Sequence, residues 1–499
     1  MGLGITVTGV SGGGCTSIYT SLLDERVKFL APVCCLSTHE SIHFSDLYTS
    51  CPEQFGPGFI KHGIDYVDLI AIQAPKPCLI VAGQQDEVFD YQSTKRLYYE
   101  IEQIYKLYEA ENNIGLYIQE DSGHAYTAGM ANKVVQWMNR IIKKQNTEPL
   151  GISEKDMEIQ PEHLLKCYPS SVVNMLTVNR EEARKLKKSR TYPQGHYKVD
   201  YLIQKSMDIL GLEKAEGFLY EVMEEENPPI RWAHQLQKVD IKIRDTRDTV
   251  HVPGLLYKRV KSSFGKIGDK KRAAMLFIDE EGKWKGFQHG GYLAKLGRFL
   301  EREDADCEPL IFSIDVSGLG ELKPQPAAYD MAPWNDIERI LTYLSISGGK
   351  PIMGLRVRDA LCTLEYLRNR QDVDENRIII AGRGVGAIVA LHAALLYTGE
   401  IQKLILWDML VNYQSMTEHF PFYWPQSIII PDVLKYYDLE EVITSVRSRE
   451  KLLINPLDAQ RRIVSNKEAA KIYSDDDVKF FTECKEDEAI RIFVNHVLV

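Results

Sequence analysis

The residues best suited to chemistry stand near the start of the chain. Gly9-Val10-Ser11-Gly12-Gly13 matches G-x-S-x-G. It follows an apolar run, Ile5–Thr8, and precedes a helix-forming segment, Thr16–Leu23. A serine in that strand–turn–helix context is a nucleophile. The sharp turn lifts its hydroxyl out of the sheet, and the flanking glycines let strand and helix approach closely. The backbone N–H of Gly12 then points at the oxygen on which charge develops. A serine hydroxyl is a weak nucleophile until a base takes its proton. His124, in Asp121-Ser122-Gly123-His124-Ala125, follows the strand-like run Ile114–Gln119 and offers an imidazole. Asp86 follows the apolar run Pro77–Ala82 and offers the carboxylate that fixes the imidazole tautomer. The order Ser11, Asp86, His124 is the order used by hydrolases with this elbow. Ser11 as nucleophile, His124 as base, Asp86 as acid and Gly12 as oxyanion donor form the expected catalytic set. Glu87 and Asp90 are close enough along the chain to replace Asp86, and Asp121 reads as a loop cap.

These residues need a scaffold, and the surrounding pattern supplies one. Short apolar strands at Ile5–Thr8, Val27–Cys35, Pro77–Ala82 and Ile114–Gln119 alternate with helices at Thr16–Leu23, about Tyr91–Tyr108 and Ala131–Lys143. That alternation predicts a parallel sheet covered on both faces. Residues 146–225 lose the strand-like runs and read as a helical connector, with helices around Asn179–Lys188 and Tyr197–Leu210. From about Ile230 strands return, with an antiparallel entry pair at Val239–Ile243 and Gly254–Lys258. Further strands follow at Ala274–Ile278, Pro309–Ile314, Arg377–Ala381, Lys403–Trp407 and Lys451–Ile454. The expected organisation is therefore 1–145, 146–225 and 226–499.

The two α/β parts read as copies of one another. VTGVSGGGCTSIYTSLLDERVKFLAPV parallels IAGRGVGAIVALHAALLYTGEIQKLILWD. Ser11 lies 75 residues before Asp86, and Gly384 lies 74 before Asp458. Agreement of sequence and spacing together points to duplication. Gly382-Arg383-Gly384-Val385-Gly386-Ala387 also fits the dinucleotide fingerprint. In the duplication, however, Gly384 takes the place of Ser11, so this is an elbow without its nucleophile. Asp458 keeps the acid position, but no Gly-His follows the last strand, Val478–Glu483, and His496 falls in the final helix. The second copy is expected to be catalytically dead, and no cofactor or metal is expected in either copy. The stretch His419-Phe420-Pro421-Phe422-Tyr423-Trp424-Pro425 reads as a packed cap loop, with a sugar-stacking surface as the alternative.

Composition excludes several other classes. The net charge of −10 and the absence of a long cationic stripe argue against binding a nucleic-acid backbone. The nine cysteines show no zinc spacing. No apolar run reaches the length of a membrane span. MGLGITVTG has neither the basic start nor the cleavage site of a signal peptide, so the sequence assigns no compartment.

At this point the chain resembles the tandem α/β-hydrolase proteins related to bacterial acetyl xylan esterases. The matching stretches are VTGVSGGG, CPEQFGPGF, APKPCLIVAGQQDEVF, DSGHAYTAGMANKVVQWMNRIIKK, MGLRVRDALCTLEYL, YWPQSIIIPDVLKYYDLEEV and LLINPLDAQRR. The resemblance implies two α/β-hydrolase-type domains with mainly parallel sheets. It implies a serine esterase, an acyl-enzyme on Ser11 and acylated carbohydrate as substrate. Some carbohydrate esterases draw their catalytic acid from the region of Cys51-Pro52-Glu53-Gln54, which makes Glu53 a substitute for Asp86 or a substrate-site residue. A complete copy carries about four strands before its elbow, so the first copy is expected to lack its N-terminal strands. Its elbow strand would then be an open sheet edge, suited to a complementing chain or to self-association. Two other readings stand beside the esterase: an inactive remnant serving as a binding or scaffold protein, and a prolyl-oligopeptidase-like serine peptidase.

Overall fold

The computed structural model describes residues 4–44, 52–145, 151, 153, 160–166, 173–213, 220–226, 234–244, 249–259, 271–302, 309–324, 337–473 and 477–498. The chain divides into two compact units. The first holds Met1–Val172, Ala327–Asn335 and Tyr343–Gly349; the second holds Val173–Pro326, Asp336–Thr342 and Lys350–Val499.

The first unit is built on β1 (Ile5–Val10), α1 (Gly12–Leu23), β2 (Val27–Val33), β3 (Cys78–Gly83), α2 (Tyr91–Leu107), β4 (Ile114–Gln119) and α3 (Ala128–Met138). Its four strands are all parallel and lie in the order β1-β2-β3-β4. β2 and β3, in the middle, are buried along nearly their whole length, which is why they read as unbroken apolar runs. On one face Cys15 and Ile18 of α1, with Leu97, Ile101 and Tyr105 of α2, pack against Leu30, Ile80 and Ile114. Leu97, Ile101 and Tyr105 recur at four-residue spacing and give α2 its apolar stripe. On the other face Met130 and Val134 of α3 pack against Phe29, Ala31, Val33, Leu79 and Val81. Among the described residues β1 pairs only with β2, and Ile5 is 45% exposed on that open edge.

The second unit carries α4 (Met175–Ser189), α5 (Tyr197–Leu210), β5 (Tyr220–Glu226), β6 (His234–Arg244), β7 (Thr249–Arg259), β8 (Arg272–Asp279) and β9 (Leu310–Ile314). It continues through α6 (Ile352–Asn369), β10 (Val373–Arg383), α7 (Val385–Leu396), β11 (Ile401–Trp407), β12 (Ser448–Ile454) and β13 (Val478–Phe481). Its sheet runs β13-β12-β11-β10-β8-β9-β7-β6-β5. It is parallel from β13 to β9 and antiparallel across β7, β6 and β5. Both units are α/β, each built on a sheet whose strands are parallel over most of its width. The elbow strand β10 has five strands beyond it, starting with β8.

The segment read as a helical connector differs from expectation. Tyr220–Glu226 is a strand paired antiparallel with β6. Tyr220 and Val222 pack against the core while Glu221 and Met223 face outward, a two-residue period masked by the run of acidic residues. Leu202 and Leu210 of α5 belong to the core of the second unit. The basic residues of α4 and its C-cap are ion-paired: Arg184 with Glu418 at 2.6 Å, and Arg190, just past the helix, with Glu441 at 3.1 Å. Among the described residues no helix is long and apolar enough to cross a membrane.

Candidate active site

Ser11 occupies the turn between β1 and α1 with φ 55° and ψ −126°, a region that side chains other than glycine rarely occupy. The chain enters it because the Ser11 N–H donates to the Val33 carbonyl at 3.0 Å, while the Ser11 carbonyl already accepts from Gly14 N–H at 2.8 Å. The neighbouring glycines make the turn sterically feasible. A methyl group on Gly9 would lie 2.5 Å from the Gly13 carbonyl oxygen. Gly12 opens α1, so no carbonyl of the helix can accept from its N–H. That N–H and the helix dipole favour an anion beside Ser11.

His124 follows β4 and is held from three sides. Its Nδ1 lies 3.1 Å and 3.0 Å from the two oxygens of Asp86. Its ring stacks on Phe89 with centroids 5.7 Å apart, and its backbone N–H donates to Glu87 Oε2 at 3.3 Å. Asp86, 7% exposed, also accepts from the N–H groups of Val88 at 2.8 Å and Phe89 at 3.0 Å. Burial pushes the Asp86 carboxyl up, but the bonds from His124, Phe89 and Val88 outweigh it and hold the acid below its ordinary range. The bond to Asp86 raises the imidazole above its ordinary range, against the opposing effect of burial.

β1 and β4 lie at opposite edges of the sheet, so their ends need help to meet. The loop after β4 folds back across the carboxyl ends of the strands. Tyr126 and Thr8 hydroxyls bond at 2.9 Å, and Cys34 Sγ donates to the Ala125 carbonyl at 3.4 Å. Thr8 precedes Ser11 by three residues, and Tyr126 follows His124 by two. Among the described residues no hydrogen bond joins the Ser11 hydroxyl to His124. In enzymes that use such a pair the bond is often long without substrate and shortens in the complex.

The candidate acids separate cleanly. Asp90, offered as an alternative to Asp86, caps α2: its carboxylate accepts from Gln92 N–H at 3.1 Å and Ser93 N–H at 2.9 Å. Asp121 accepts from Gln119 Nε2 at 3.2 Å and stays exposed. Glu53 sits in a short turn, Pro52–Gln54, whose backbone is anchored by the Tyr19 hydroxyl at 3.1 Å. It does not back His124. Its Oε1 would lie 2.7 Å from a methyl group placed on Gly12.

In the second unit Gly384 has φ 59° and ψ −124°. The Glu280 carboxylate lies over its Cα, accepts the Val385 N–H at 3.2 Å and forms a bidentate pair with Arg461 at 2.9 Å and 2.7 Å. The donor that would face an oxyanion, or a pyrophosphate, is thus taken by an internal carboxylate. Asp458 pairs with Arg462 at 2.7 Å, and His496 bonds the Ile492 carbonyl at 2.8 Å. In the aromatic stretch Trp424 is buried and donates to the Asp458 carbonyl at 2.8 Å, while Phe420 and Tyr423 are exposed. Sequence reasoning missed Glu280, whose only signal was its place after the strand β8. Among the described residues no three His, Cys, Asp or Glu side chains cluster as metal ligands do.

No protein-family model and no curated protein sequence matches the chain. Among solved structures it is similar to a Bacteroides fragilis protein assigned to the acetyl xylan esterases, with 14% identity and a TM-score of 0.46, covering 62% of this chain and 82% of that one. It is similar to the acetyl xylan esterase of Paenibacillus sp. R4, with 15% identity and a TM-score of 0.41, covering 63% and 98%. It is also similar to a glucuronoyl esterase from Solibacter usitatus, with 11% identity and a TM-score of 0.36, covering 64% and 91%.

Proposed function

We propose that the first unit is a serine carboxylic-ester hydrolase acting on acylated carbohydrate. The observation that carries the chemistry is the His124–Asp86 pair, set on a loop tied through Tyr126 to the strand that leads into Ser11. The carbohydrate part rests on the motif resemblance. In the reaction His124 Nε2 takes the proton of the Ser11 hydroxyl as Oγ attacks the ester carbonyl. Asp86 keeps the Nδ1–H in place and stabilises the imidazolium. The Gly12 N–H receives the developing oxyanion. Collapse of the tetrahedral intermediate breaks the ester bond, and the departing alcohol takes the proton from His124. Water, deprotonated in turn by His124, releases the acid and restores Ser11. A base of this kind contributes about 10²–10⁴-fold. The second unit has no part in hydrolysis, a reading supported by Glu280 and by the missing nucleophile at Gly384.

The fold does not choose between ester and amide. The test is turnover of p-nitrophenyl acetate, acetylated xylan and a proline-containing peptide by the purified chain and by Ser11→Ala. Ser11-dependent release of acetate from xylan, with the peptide intact, is the expected result. Ser11-dependent cleavage of the peptide alone would replace the esterase with a peptidase, and equal background from both proteins would support the inactive remnant.

A further inference from the structure

Glu53 stands where a carboxylate needs a reason. Gly12 adjoins Ser11 and offers its N–H to the oxyanion. A methyl group on Gly12 would fall 2.7 Å from Glu53 Oε1 and 3.6 Å from its Cδ. The side chain is half-buried, and its turn is anchored at Glu53 itself and at Gln54. The Tyr19 hydroxyl donates to the Glu53 carbonyl, and Gln54 is buried with its Nε2 2.9 Å from Cys15 Sγ. A negative charge held there opposes the charge that Gly12 stabilises.

The N-terminus of α1 favours a negative charge here without using the carboxylate's lone pairs, and two other roles, triad acid and ion-pair member, are not filled by Glu53. Asp86 occupies Nδ1 of His124 with both oxygens, so the triad needs no second acid. Among the described residues Glu53 has no ion-pair partner. The second unit shows the contrast. There Glu280 is neutralised by Arg461 and takes the elbow N–H for itself, at an elbow without a nucleophile. In the first unit a serine stands at the elbow, and among the described residues no side-chain donor takes the Glu53 carboxylate.

We propose that Glu53 accepts a hydrogen bond from a hydroxyl on the alcohol portion of the substrate, beside the scissile ester. This rests on the ester-hydrolase reading and names its substrate class: acyl esters of polyols that keep a free neighbouring hydroxyl. Such a substrate brings the donor that satisfies the carboxylate. An ester without one leaves an unpaired charge next to the oxyanion, so Glu53 penalises the wrong ester as well as favouring the right one.

The test compares the full chain with Glu53→Ala and Glu53→Gln on three acetate esters. These are methyl xyloside acetylated at one position with a free adjacent hydroxyl, p-nitrophenyl acetate, and acetylcholine. Glu53→Ala is expected to lower kcat/KM on the xyloside roughly 10–100-fold and to raise it severalfold on p-nitrophenyl acetate. Glu53→Gln keeps an acceptor oxygen without the charge. It is expected to stay within a few-fold of wild type on the xyloside and to share the gain on p-nitrophenyl acetate. A fall by the same factor on all three esters would mark Glu53 as structural. A wild-type preference for acetylcholine that Glu53→Ala erases would mark a cation site instead. Either outcome overturns the proposal. Equal background from wild type and Ser11→Ala on all three esters would remove the hydrolase reading, and this role with it.

Discussion

Ser11 and Gly384 hold the same backbone conformation, φ 55° and ψ −126° in one and φ 59° and ψ −124° in the other. Their backbone bonds match as well: Ser11 N–H to Val33 O at 3.0 Å, and Gly384 N–H to Trp407 O at 2.9 Å. A side chain in this conformation costs of order 1–3 kcal/mol. Glycine at 384 avoids that cost and carries no hydroxyl. Serine at 11 bears it, a cost that the proposed role as nucleophile would account for. The two turns thus share one backbone geometry and differ in the side chain it carries.

The same turn predicts the effect of Gly9→Ala. The added methyl would meet the Gly13 carbonyl oxygen at 2.5 Å, and a backbone atom cannot step aside as a flexible side chain would. Overpacking of this kind costs about 1–3 kcal/mol. Chemical denaturation should show that loss, and esterase turnover should fall with it because the strand and helix that aim Ser11 are forced apart.

Asp86 and Asp90 should part company under mutation. Asp86→Asn leaves His124 without its carboxylate and is expected to lower kcat about 10⁴-fold with little change in KM. Asp90→Ala removes only the cap of α2, costing about 1 kcal/mol of stability with kcat retained. Steady-state kinetics beside thermal unfolding separates the two.

The pH profile has a definite sign. His124 must be neutral to act as base, and Asp86 holds it protonated to higher pH than a free imidazole. Activity should therefore be lost on the acid side below a midpoint that lies above the ordinary value of about 6.5. In the residual activity of Asp86→Asn that midpoint should move down. Stability follows from the same shifts. The raised histidine contributes fully below its unfolded value, and that contribution is lost as pH rises through the folded one. The depressed Asp86 contributes above its unfolded value and loses that as pH falls through the folded one. Tm measured across pH should show both losses in wild type and neither in Asp86→Asn.

In the second unit Gly384→Ser should not create a reactive serine. Glu280 covers the position and already holds the Val385 N–H, and Asp458 is paired with Arg462 rather than with a histidine. Fluorophosphonate labelling of Gly384→Ser in a Ser11→Ala background should stay at background. Glu280→Gln should cost about 1–2 kcal/mol, since it leaves Arg461 without its charged partner in a partly buried pair.

Much of the first sheet was legible in the sequence because its signals are local. Cys78–Gly83 is an apolar run, and Ser11 sits between a strand and a glycine-rich helix start. Boundaries shifted where tertiary geometry overrides propensity. α1 begins at Gly12 rather than Thr16, since the elbow turns Gly12–Gly14 into a helix that glycine alone disfavours. α3 begins at Ala128 rather than Ala131, because Thr127 caps it by accepting Met130 N–H. Chain order put Asp86 ahead of Asp90 and Glu53 as the acid but did not exclude the other two. Each is a carboxylate in a polar loop, and only the fold decides which one meets an imidazole, which caps a helix and which flanks Gly12. The bond between Thr8 and Tyr126 joins residues 118 positions apart, and no local pattern announces such a contact. Glu280 was missed for the same reason: its partner Arg461 lies 181 residues away.

The most direct measurement is the rate and site of fluorophosphonate labelling, read by intact mass and peptide mapping on wild type, Ser11→Ala and His124→Ala. A triad of Ser11, His124 and Asp86 predicts one adduct per chain on Ser11, none in Ser11→Ala, and labelling slowed at least a hundredfold in His124→Ala. An adduct on another residue, or His124→Ala labelling as fast as wild type, would contradict it.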